Sequence, residues 1–147
     1  MKLSKALNQK NKLVTELNSL YNKLNKYNST IEGASKPYNA KDILVKIDAI
    51  RAGIVVLKTA VHRASDPVRD KIFLLSELKS HVKKINSLPT QDGVVREHSY
   101  RGNGEAVTFK AEITEVDQEK LVKELEAQIE QLQEELDAFN HQTEVTI

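Results

Sequence analysis

Residues 116–140 read VDQEKLVKELEAQIEQLQEELDAFN. Within them Val122, Leu125, Ile129, Leu132, Leu136 and Phe139 recur at steps of 3, 4, 3, 4 and 3, which lines one side of an α-helix with apolar groups. Glu124, Glu126, Glu130, Glu134, Glu135 and Asp137 fill the intervals. A seam this regular is that of a coiled-coil helix and predicts one over about 115–140.

Three earlier stretches carry the same spacing. Leu13, Leu17, Leu20, Leu24, Tyr27 and Ile31 continue a stripe begun by Leu3 and Leu7, past the polar gap of Lys10, and predict a first helix over about 2–31. Gly33 and Pro37 stop it. Ile43, Ile47, Ile50, Ile54, Leu57 and Val61 predict a second helix over about 40–64, with Asn39 as its cap and Asp42 in its first turn. Val68, Ile72, Leu75, Leu78, Val82 and Ile85 predict a third over about 67–88, opened by Asp66-Pro67 and closed by Leu88-Pro89. Gly53 stands inside the second helix, where glycine costs about 1 kcal/mol against alanine and points to close helix–helix contact. With only Ser65-Asp66-Pro67 between them, the second and third helices fit either an angled pair or one kinked rod.

Between the third and fourth helices the period changes. Val107, Phe109, Ala111 and Ile113 alternate with Thr108, Lys110 and Glu112, as in a half-buried strand. Val94–Tyr100 precede them, and Arg101-Gly102-Asn103-Gly104-Glu105 supplies turn residues. A β-hairpin is expected over about 94–113. Two strands alone are marginal in water, so the hairpin must lie on helices or join a partner's strands. The fold class is mainly α: an oligomeric bundle of coiled-coil helices with one β-hairpin, in a single domain spanning 1–147.

Composition removes several classes of function. There are 22 Lys+Arg against 21 Asp+Glu, a net charge of +1, so tight nonspecific nucleic-acid binding is not the default. No cysteine is present, which removes disulfides, thiolate metal sites and thiol nucleophiles together. No apolar run reaches the ~18–20 residues that cross a bilayer. Met1-Lys2-Leu3-Ser4-Lys5 leads into no apolar stretch, so no secretory signal is expected, and the expected location is cytoplasmic. Locally the charge is uneven, net +5 over 1–28 and net −8 over 112–137. Helices of opposite sign favour pairing, within one chain or between chains. At ~0–1 kcal/mol for each exposed pair, such charges choose orientation more than they add stability. The first helix lacks Arg, Trp and Phe, and asparagines 8, 11, 18, 22, 25 and 28 dilute its lysines, which weighs against a membrane-surface or nucleic-acid element. The first and fourth helices are each roughly 40–45 Å long. Seams of that length are hard to cover within one small chain, so self-association is expected.

Short motifs in order along the chain add a resemblance. They are Met1-Lys2-Leu3 with Ala6-Leu7; Asn28, Ile31-Glu32-Gly33 and Pro37; Asp48; Arg69-Asp70; Phe109 and Val116; and Asn140 with Thr143-Glu144. In these the chain resembles the septicolysin-like bacterial proteins. The resemblance implies a small helical bundle that assembles as a homo-oligomer, a hexamer, without an established activity. Where that family tends to show Asn-x-Thr-Asn, this chain has His62-Arg63-Ala64-Ser65. The family's name implies a thiol-dependent haemolysin, which a cysteine-free chain does not support physically.

Catalytic constellations are missing from the sequence. His62, His81, His98 and His141 are not spaced by three or four residues, and no HExxH, ExxH pair, P-loop or Gly-x-Ser-x-Gly elbow occurs. No metal, no cofactor and no enzymatic activity are expected. One cluster does suit a ligand. Arg96, His98 and Tyr100 share a strand face if alternation holds, with Arg101, Asn103 and Lys110 at or near the turn. Cationic and aromatic groups beside glycine-bearing backbone suit a phosphate, carboxylate or nucleotide-like anion. The plainer reading is a hairpin rim whose arginines pair with Glu97, Glu105 or a neighbour's acidic helix. The sequence thus points to a non-catalytic homo-oligomeric binding or scaffold protein, with any anionic ligand near the hairpin at a subunit junction. The alternatives are a membrane-active, haemolysin-like protein and a nucleic-acid-binding helical protein.

Overall fold

The structure is a computed structural model that describes residues 1–97 and 105–147, with side chains at all of these except 96, 97 and 105. Its elements run α1 (Leu3–Tyr27), α2 (Ala40–Ala64), a 3-10 turn (Asp66–Val68), α3 (Arg69–Asn86), β1 (Gly93–Glu97), β2 (Glu105–Phe109) and α4 (Glu115–Gln142). The chain is mainly helical, with a two-stranded antiparallel hairpin between α3 and α4. The sequence reads as one domain; the contacts group into two compact units, residues 1–69 with 137–147, and residues 70–136.

In the first unit α1 and α2 form an antiparallel helical hairpin. Leu20 packs with Ile43 and Ile47 near the connection, flanked by Leu17, Leu24 and Ile50. At the other end Leu3 and Ala6 pack with Leu57, Ala60 and Val145. The 4-3 spacing of the two stripes is what brings the leucines and isoleucines among these together. Asn39 caps α2, its side chain accepting from the Lys41 backbone N–H at 2.9 Å. Gly53 faces α1 at the helix contact, and a methyl group there would lie 3.5 Å from Leu13 Cδ1. The glycine is therefore at an interface, but room for alanine remains. Residues 143–145 return to the start of the chain. Val145 N–H donates to the Met1 carbonyl at 2.7 Å, and Leu3 N–H donates to the Thr143 carbonyl at 2.8 Å.

In the second unit the register sets Gly93 opposite Phe109, Val94 opposite Thr108, Val95 opposite Val107 and Arg96 opposite Ala106. Val95, Val107 and Phe109 are half-buried, whereas Val94 is 70% exposed. Thr114 and Asp117 cap α4 reciprocally, each side chain accepting from the other's backbone N–H at 3.2 Å. Gln118 donates to the Ile85 carbonyl at 2.6 Å, and Lys71 donates to Glu135 at 3.0 Å. These two contacts hold opposite ends of α3 and α4 together, so the two helices run antiparallel.

Boundaries differ from expectation for identifiable reasons. Helix α1 ends at Tyr27 and not near Ile31. Asn28, Ser29 and Thr30 are three poor helix formers in a row, and Ile31 is left 84% exposed. The third helix begins at Arg69 because Asp66-Pro67-Val68 forms a 3-10 turn, in which Asp66 binds Arg69 and caps no backbone group. The hairpin is shorter than 94–113: Gly93, at φ +96°, is the last partner available to β2, so Ala111 and Ile113 lie beyond the ladder. Helix α4 runs to Gln142, two residues past Asn140.

The stripes also fare differently from expectation. The apolar residues of all four seams, apart from Ile31 and Ile72 (40% exposed), are buried or half-buried. The large apolar groups left in water mostly lie off the seams.

Candidate functional site

Of the cluster read from the sequence, the structure describes little. His98, Tyr100, Arg101 and Asn103 lie outside the described residues. Arg96 occupies a ladder position opposite Ala106. Lys110 is exposed, one residue beyond β2. The six residues are therefore not shown to converge.

A different basic and aromatic cluster is described at the α1–α2 connection. Tyr27 and Tyr38 stack at 5.4 Å between ring centroids, tilted by 56°. Lys23 Nζ sits 4.7 Å from the centre of the Tyr38 ring, and Lys26 Nζ 5.2 Å from that of Tyr27. Both distances fall within cation–π range. Beside them a hollow of about 550 Å³ is lined by residues 36–41, including Lys36 and Lys41. Position sets this cluster up: the end of α1 delivers Lys23, Lys26 and Tyr27, and the segment before the Asn39 cap returns Tyr38. The sequence reading used Tyr27 only as a seam residue. Lys23 and Lys26 just ahead of Tyr27 were the visible signal, but the return of Tyr38 depends on where α1 stops.

The other polar constellations serve the fold. Arg69 Nη2 donates to the His62 carbonyl at 2.7 Å, its Nε donates to Asp66 at 3.2 Å, and its Nη1 lies 3.0 Å from His62 Nδ1. A guanidinium has donors only, so in this contact Nδ1 takes the acceptor's place. This staple holds the turn after α2. Lys2 and the Met1 ammonium pair with Glu144 at 2.7 and 3.2 Å, and hydrogen bonds from these two groups lower the Glu144 pKa below its ordinary value. The Asp117 carboxyl is lowered too, first by the Thr114 backbone hydrogen bond and then by its hydroxyl. Both shifts have structural causes. Among the described residues no group of three or more His, Asp or Glu is placed to hold a metal ion, and no helix is long and apolar enough to cross a membrane. The hollow on α1, about 580 Å³, is lined by Asn8, Asn11, Lys12, Thr15, Glu16 and Ser19 of that one helix, which makes it a polar surface more than an enclosure.

Large apolar side chains form the remaining feature. Leu44 (49% exposed), Val45 (69%), Val55 (58%) and Val56 (50%) lie on α2, and Phe73 (62%) and Leu74 (51%) on α3. None belongs to a core stripe. The chain matches no family model, no curated protein and no solved structure.

Proposed function

We propose that this chain is a non-catalytic homo-oligomeric scaffold or binding protein, with a hexamer as the assembly that the septicolysin-like resemblance implies. The exposed valines and leucine on α2 carry this reading. A helix apolar on both sides belongs inside a larger body, and contiguous apolar surface on a chain of this size marks an interaction site. Sedimentation velocity from nanomolar to high micromolar protein tests it. Multiples of the 16.6 kDa chain, growing with concentration, are expected. One folded species of single-chain mass throughout would overturn it.

A second reading, an anionic ligand, is favoured by the lysine–tyrosine cluster around Tyr27 and Tyr38. Thermal shifts with pyrophosphate and nucleotides locate it. Loss of the shift in K23A/K36A supports the connection, and loss in R96A/R101A supports the hairpin. No shift in the wild type removes the ligand.

A further inference from the structure

The outward face of α2 is organised in two rows. Leu44, Asp48, Arg51 and Val55 form one, at steps of 4, 3 and 4; Val45, Ala49, Ala52 and Val56 form the other, at the same steps. Both rows lie away from the Ile43–Val61 stripe that packs on α1, since each is offset from it by one or two residues, about 100–200° around the helix. All eight residues are exposed.

Each row reads alike from either end, apolar at the tips and charged or small in the middle. An antiparallel copy, turned about an axis between residues 49 and 50, sets Leu44 against Val55 and Asp48 against Arg51. We propose that this face docks a second copy of the same chain in that antiparallel register, resting on the self-assembly reading above.

Charge supports the register. Asp48 and Arg51 already pair at 2.7 Å within one chain, with 67% and 61% of their side chains exposed. Antiparallel docking gives each carboxylate a second guanidinium and makes a ring of four alternating charges. Parallel docking instead sets Asp48 on Asp48 and Arg51 on Arg51, which like-charge repulsion disfavours. Ala49 and Ala52 at the middle of the second row let the helix axes approach closely, because the contacting side chains set the interaxial distance. One helix pair covers less than the ~1,200 Å² of a stable interface. The apolar surface continues: Val55, Val56 and Thr59 line a hollow of about 250 Å³ together with Ile147, itself 59% exposed.

The chain has no cysteine, so single thiols report the register cleanly. L44C and V55C are purified reduced, then oxidised alone and mixed. The mixture should give a 44–55 linked dimer, and neither variant alone should. Positions 44 and 44 of two antiparallel copies lie roughly 16 Å apart, beyond disulfide reach. In parallel, D48R and R51D alone should each associate at least about ten-fold more weakly than wild type, and mixing the two should restore association. Circular dichroism checks that every variant is folded. Wild-type assembly that neither charge variant weakens, or thiols that link only to themselves, would overturn the docking and leave the self-assembly reading standing. A wild type that stays a single chain would overturn both.

Discussion

Helices α1 and α2 are each 25 residues long, and both carry the 4-3 stripe that joins them. Their backs differ. Behind the α1 stripe stand Asn8, Asn11, Lys12, Thr15, Glu16 and Ser19; behind that of α2 stand Leu44, Val45, Ala49, Ala52, Val55 and Val56. One back is made for water. The other leaves side chains exposed that water does not favour, and the packing of α2 on α1 gives no reason for them. Two helices equal in length and inner pattern are thus distinguished by what lies on the side their mutual packing never uses.

The comparison can be broken most severely from the inside. Ile47 is 2% exposed in the core between the two helices, so Ile47→Ala should destabilise by about 2–5 kcal/mol in denaturant melts. Gly53→Ala should act in the opposite direction. The 3.5 Å to Leu13 leaves room for the methyl, and the gain in helix propensity should raise stability by up to about 1 kcal/mol. Next, the backs can be tested against one another. Asn11→Ala on α1 and Val45→Asn on α2, both at exposed positions, should each leave stability within about 0.5–1 kcal/mol of wild type; in sedimentation only Val45→Asn should weaken association. The smallest effect concerns how α1 begins. Its first turn is held by Lys2 and Glu144 rather than by a side-chain cap. Because the folded Glu144 pKa is lowered, its contribution is present above the ordinary glutamate value, ~4.3, and is lost as pH falls through the folded value. Glu144→Gln should flatten that small acid-side loss in a series of thermal melts.

Much of this fold was legible because its determinants are local. The 40–64 helix could be bounded at both ends from Asn39 and the isoleucine stripe, and the hairpin's place followed from the change to alternation at Val107–Phe109. Helix ends were harder. Ile31 keeps the period of α1 but not its helix, since periodicity does not register the low helix propensity of Asn28-Ser29-Thr30. The pairing of Tyr27 with Tyr38 hangs on that same break. The outward rows of α2 were present in the sequence at the same 4-3-4 steps as the core stripe. They are told apart from it only when one knows which face α1 occupies. Of the residues read as a ligand site, Arg96 could be placed on a strand and Lys110 beside one; the other four lie outside the described residues.

Val145 belongs to the same buried cluster as Leu3 and Ala6, and this bears on synthesis. The α1–α2 hairpin uses neighbouring segments and can assemble while the chain is still emerging, but the end that holds Leu3 lacks its cover until residue 145 has left the ribosome. Leu3 and Ala6 are therefore sealed only after the whole of α4 has been made. During that interval the open end exposes apolar surface of the kind that makes a nascent chain prone to aggregate.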